Sequence, residues 1–142
     1  MKLSVLRRNT KSTEGCIWEF QTGQRVSEPT SNLCFLIAER DNPKHRAASA
    51  RLQFEHVEAL RAGGEKQAEA WKKIQTRALA EAVLLGWWNL DDDAGQPIAY
   101  SADEAEKLLA DASLWPVRNF IEDASSTLAG YRSELEEQAK GN

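Results

Sequence analysis

Asp91, Asp93 and Gly95, in the stretch "GWWNLDDDAGQPIAYS" at positions 86 to 101, carry the residue types of a calcium-binding loop. Such a loop needs oxygen ligands at alternate positions, glycine at the sixth for a sharp turn and a bidentate glutamate at the twelfth. Counting from Asn89 puts Ala94 at the sixth position and Tyr100 at the twelfth, and counting from Asp91 does no better. The stretch therefore reads as a solvated turn. His45 and His56 are eleven residues apart. On a helix that spacing returns to almost the same face but about 16 Å further along the axis, too far for one metal ion. There is no C-x-x-C and no glycine-rich phosphate loop, so metal and nucleotide chemistry lack their usual residues. No motif selects a Ser–His or Cys–His pair either. The expectation is a non-enzymatic protein without cofactor or metal.

Cys16 and Cys34 each lie in a strand-like run. A cross-strand disulfide stays open from the sequence, and two free buried thiols in a reducing compartment is the favoured state. The tryptophans are the better lead. Neighbouring residues point about 100° apart on a helix and about 180° apart on a strand, so Trp87 and Trp88 cannot fill one pocket side by side. Trp87 is expected to anchor the end of a long helix in the core. Trp88 is left to cover the turn against Ile98 and Tyr100 or to stand as a binding anchor, a role in which tryptophan is enriched. Trp18, Trp71 and Trp115 each sit in phase with an apolar face and read as packing residues.

The chain has 142 residues, enough for one real core. Its 18 basic residues against 22 acidic give −4, and no basic cluster marks a nucleic-acid or anionic-membrane surface. "MKLSVLRRNTKSTEG" lacks the apolar run of a signal peptide and no window approaches a bilayer span. A soluble cytoplasmic protein that binds neither nucleic acid nor membrane is expected.

The elements that must position these residues fall in two parts of a single domain spanning 1–142. Residues 1–40 are β-rich: "KLSVL" alternates, "CIWEF" places Cys16, Trp18 and Phe20 on one face, and "NLCFLIAE" is a short apolar run, with "TGQRVSEPTSN" as loop between the last two. Residues 41–138 are helical. Asn42 can cap a helix with Pro43 at its first position. Ala47, Ala50, Phe54 and Val57, with Leu60 near, form its apolar face until Gly63 and Gly64 end it. A second, long helix runs from about Glu65 to Gly86 with Ala68, Trp71, Ile74, Ala78, Ala82 and Leu85 inward. Ser101 and Glu104 form a capping box for a short helix near 102–111. Ser113 caps a last helix with Val117, Phe120, Ile121, Ala124, Leu128, Tyr131 and Leu135 on one face. The fold class is thus α+β: a small N-terminal antiparallel sheet or hairpin, then a mainly α-helical bundle of about four helices.

The order of these parts resembles a known family. "FLIAERDNPKHRAASARL", followed by an alanine-rich helix and "AEAVLLGWWNLDDDAGQPIAYSADEAEKLLADASLWPVRNFIEDAS", is similar to the tail assembly chaperones of long-tailed bacteriophages and prophages. The shared features are an Asn-Pro before a helix, a tryptophan ending the next one, an acidic-Gly turn, a Pro-Ile-x-Tyr-Ser segment and a leucine-rich helical pair. They cover about residues 33 to 135. The resemblance implies a cytoplasmic, non-enzymatic role in the host: coating the hydrophobic tape measure protein before the tail tube polymerises around it, with the tail tube protein as a second partner. Partner contacts would fall on Trp88, with Phe120 and Tyr131 as secondary anchors. It also implies self-association, for which a β-edge at 2–6 or 33–38 offers unpaired backbone groups. A small structural tail or head-completion protein of the particle is the competing reading.

Overall fold

The computed structural model describes residues 11–126. A helical turn, α1 (Lys11–Glu14), leads into β1 (Cys16–Glu19), β2 (Arg25–Val26) and β3 (Cys34–Ile37). Then come α2 (Pro43–Glu55), α3 (Val57–Ala62), α4 (Gly64–Ala82), β4 (Leu84–Trp88), α5 (Ala102–Ala110), a 3-10 turn at Ala112–Leu114 and α6 (Trp115–Ser126). The class is α+β, as the sequence predicts, with one small antiparallel sheet ordered β2-β1-β3-β4.

The sheet is not confined to the first 40 residues. The long helix stops at Ala82 instead of Gly86, and "LLGWW" becomes the fourth strand, pairing Cys34 with Trp88, Phe35 with Trp87 and Leu36 with Gly86. This corrects the division into a β-rich 1–40 and a helical 41–138. The Ala38 N–H donates to Val83 O at 2.8 Å, so the chain is captured by the sheet as it leaves the helix. Two consequences follow for the expected β-edges. Strand β3 is paired on both sides, by β1 and β4, and offers no edge at 33–38. The stretch 2–6 lies outside the described residues, as do Leu128, Tyr131 and Leu135. The "TGQRVSEPTSN" connection also holds β2, which pairs with Ile17 and Trp18. No disulfide joins the two cysteines; Cys34 is buried and sits opposite Glu19, while Cys16 sits opposite Ile37.

One core lies between the sheet and the helices α4, α5 and α6. Phe35, Leu79, Val83, Leu84, Leu109 and Ile121 are buried there, and Trp18, Phe20 and Phe120 pack against them. Phe20 stands edge-on to Phe120 at 5.2 Å and to Phe35 at 6.2 Å. Such T-shaped pairs set positive ring edges against negative faces. A smaller cluster of Ala48, Leu52, Ile74 and Ala78, with Leu60 beside it, joins α2 and α3 to α4.

Asn42 fixes how α2 sits. Its side chain accepts from the His45 N–H at 2.9 Å and donates to Ala82 O at 3.0 Å and to Glu39 O, all from a fully buried position. That clamp turns Ala48 and Leu52 toward α4, so the expected Ala47–Ala50–Phe54 face points to solvent instead, and Phe54 is 80% exposed. Alanines on both sides of the helix make its periodicity ambiguous, which is why the phase was not readable. The helix also breaks at His56, whose backbone (φ −103°, ψ 17°) leaves the helical region before α3 resumes. Gly63 and Gly64 (φ 70° and 60°) then make the turn into α4 in a region that disfavours side chains. Replacing Asn42 by alanine removes a cap and strands a buried carbonyl. It should cost roughly 2–4 kcal/mol in urea unfolding, whereas Ser31→Ala, at an exposed position, should cost under about 1 kcal/mol.

Candidate partner-binding groove

The acidic turn is a pinned hairpin. Asp92 N–H donates to Gln96 O at 2.8 Å and Gly95 N–H donates back to Asp92 O at 2.9 Å, while the Asp92 carboxylate accepts from the Ala94 and Gln96 N–H groups at 2.9 Å each. Gly95, at φ 81°, closes the turn where a Cβ would strain it. Asp91 bridges Pro97, and the Ile98 N–H donates to Leu90 O at 2.8 Å. Asn89, itself at φ 63°, starts the hairpin and ties it to the loop before β3 through its amide, which donates to Thr30 O and Asn32 O at 2.9 Å each. Asp92 therefore has a structural task that its reading as a freely solvated residue missed. The signal was an aspartate two residues before a turn N–H, the Asx-turn pattern.

Trp87 stitches the hairpin's return strand to the fold. Its indole N–H donates to Ile98 O at 2.8 Å, and its ring stands edge-on to Tyr100 at 5.0 Å. The Tyr100 hydroxyl in turn donates to Leu84 O at 2.6 Å, with Ala80 O at 3.2 Å. Burial pushes that phenol above its ordinary value, with Arg77 pulling weakly the other way. Trp87 is half-buried against the core, so it does anchor this region, from a strand and not from a helix end.

The opposite wall is α5 and the 3-10 turn. Ser101 caps α5 by accepting from the Glu104 N–H at 3.0 Å, and Asp111, instead of the expected Ser113, caps the following turn by accepting from the Ser113 N–H at 2.9 Å. Those Ser113 bonds hold the Asp111 carboxyl below the usual range. The Arg77 guanidinium, on α4, clamps α5 in place through Asp103 and Glu106 at 2.8 Å each and Glu81 at 2.6 Å. Arg118 ties α6 to both, donating to Thr76 Oγ1 at 2.9 Å and Leu109 O at 3.1 Å.

Between these walls lies an open cavity of about 180 Å³, floored by Trp87, Leu90, Ile98, Leu108 and Leu114 and rimmed by Glu104, Lys107 and Asp111. Trp115, next in sequence to Leu114, is 63% exposed. Residues 89–114 hold five aspartates and two glutamates against Lys107 alone, a net −6, while the chain as a whole is −4, so the rest of the molecule is +2. Arg77 offsets Asp103 and Glu106, and Lys107 lies 3.5 Å from Glu104, so what this face presents is an apolar trough with a mildly acidic rim.

The residues expected to contact a partner are dispersed. Trp88 is half-buried on β4, and strand alternation sends it to the face opposite Trp87. Phe120 is held in the aromatic core cluster, and Tyr131 lies outside the described residues. Of the other expected structural anchors, Trp71 on α4 is 37% exposed. Trp115 is exposed because, at 100° per residue, it lies roughly 120–160° around α6 from the inward Val117, Phe120 and Ile121. Among the described residues no three His, Cys, Asp or Glu side chains converge as a metal site, and no helix is long and apolar enough to cross a membrane.

Replacing Trp87 by alanine should cost roughly 2–4 kcal/mol, below the full-core range because the ring is half-buried, and Asp92→Ala about 1 kcal/mol. Asp93→Ala should be neutral; equal losses at all three positions in urea titrations would contradict the hairpin's role. Tyr100 adds a pH dependence. A phenol whose folded value is raised stabilises fully below the ordinary value of 10.0, and that contribution is lost as pH rises through the folded value. Alkaline unfolding should therefore be less steep above pH 10 in Tyr100→Phe than in the wild type.

The family model described as YdaY prophage protein matches residues 40–142, most of the chain, so the chain belongs to that prophage protein family. The groove lies wholly within the match. No curated protein and no solved structure matches it.

Proposed function

We propose that this prophage-family protein is a non-enzymatic tail assembly chaperone, which binds the tape measure protein in the host cytoplasm and keeps it soluble until the tail tube, a second partner, polymerises around it. The observation that carries this reading is the groove itself, an apolar trough with a mildly acidic rim, next in sequence to the exposed Trp115. A tape measure protein exposes apolar helical stripes before enclosure, and covering them removes about 25 cal/mol per Å² of apolar hydration, less the ordering cost of binding. The acidic rim supports a preference for stripes flanked by lysine and arginine and speeds encounter with them.

Co-expression with the tape measure protein of the same prophage tests the reading. The wild type should raise its soluble recovery and copurify with it above one to one. Trp115→Ala should lose most of that recovery with its melting temperature little changed, because the ring is already in solvent. Equal recovery with the wild type and with an empty vector defeats the proposal. Presence of the protein in purified particles at stoichiometric amounts would instead favour a structural tail or head-completion component.

A further inference from the structure

The solvent face of α2 is self-complementary. Lys44, Ala47, Ala50, Arg51 and Phe54 recur at three- and four-residue spacing and are all exposed, and Glu58 continues the spacing just past the break at His56. Phe54 is the most exposed large apolar side chain among the described residues. Two turns before it, a shallow cavity of about 370 Å³ is lined by Lys44, Ala47, Ala48, Arg51, Glu81 and Ala82. Knob and hollow thus lie about 10.5 Å apart on one helix.

We infer that a second copy of this chain docks here, antiparallel across a two-fold axis passing near Arg51, with Phe54 of each protomer seated in the Ala47 hollow of the other. Two independent features select the same axis. Phe54 and Ala47 fall on either side of it, which sets a large side chain over a small one twice. Lys44 and Glu58, each seven residues from Arg51, fall opposite one another across it. Among the described residues neither Lys44 nor Glu58 forms an ion pair within its own chain. The arginines that meet at the axis do not repel strongly, because each Arg51 already pairs with Glu81 at 2.7 Å and Glu55 at 3.5 Å. A closed pair in which one patch meets itself is the commonest form of association. No residue of this face lines the groove, which is built from β4, the hairpin, α5 and the 3-10 turn.

One helix face per protomer is a small contact, so sedimentation equilibrium should show a reversible dimer with Kd on the order of 10–100 μM. Phe54→Asp should weaken it at least tenfold while the melting temperature stays unchanged. Lys44→Glu and Glu58→Lys should each weaken association severalfold, and the two together in one chain should restore it. A wild type that stays monomeric to millimolar concentration overturns the inference, as does a dimer that Phe54→Asp leaves intact. Failure of the double exchange to improve on either single change rejects the antiparallel register. None of these outcomes depends on the tape measure protein, so the pairing and the groove stand or fall separately.

Discussion

Ala70, Ala78, Ala80 and Ala82 keep α4 slim, and the rest of the fold depends on how closely its neighbours can then approach. Interaxial distance is set by the side chains at the contact, and alanine gives the shortest. On one side Ile74 and Ala78 meet Ala48 and Leu52 of α2; on another Leu79, Ala80 and Val83 meet the sheet, α5 and α6. The end of the helix is equally committed. Ala82 O is taken by Asn42 and Val83 O by the Ala38 N–H, so the chain has to leave as a strand along β3. From that exit follow the placing of Trp87, the hairpin it holds, and the groove between hairpin and α5.

Much of this was legible in the residues. Asn42 and Pro43 mark the start of α2, Gly63 and Gly64 mark the turn from α3 into α4, and Ser101 caps α5, because each of those positions solves a local backbone problem that only a few residue types can solve. The α+β class and the extended run "CFLI" were equally plain. What escaped was set by distant partners. "LLGWW" is apolar enough to finish a helix or to make a buried strand, and only the free edge of β3 decides between them. The rotation of α2 was hidden for the same reason: its alanines offer two apolar faces, and the choice is made by Asn42 reaching a carbonyl forty residues away.

The site shows the same division. The sequence drew attention to the right stretch, since Trp87, Leu90 and Ile98 line the groove and Asp92 pins the hairpin that carries the last two. It assigned the outward role to Trp88 when the more exposed ring is Trp115, which lies well off the inward face of Val117, Phe120 and Ile121 on the last helix. Membership of a prophage protein family bears out the phage or prophage origin that the order of the motifs suggested, and does not itself identify a partner.

Hydrogen exchange of the chain alone and in complex with the tape measure protein tests the role of that groove most directly. If the trough is where the partner lies, amides of the hairpin 90–98 and of residues 108–115 should slow markedly on binding while those of β1 and β2 keep their rates. Unchanged exchange in both stretches, with complex formation confirmed in the same sample, would contradict it.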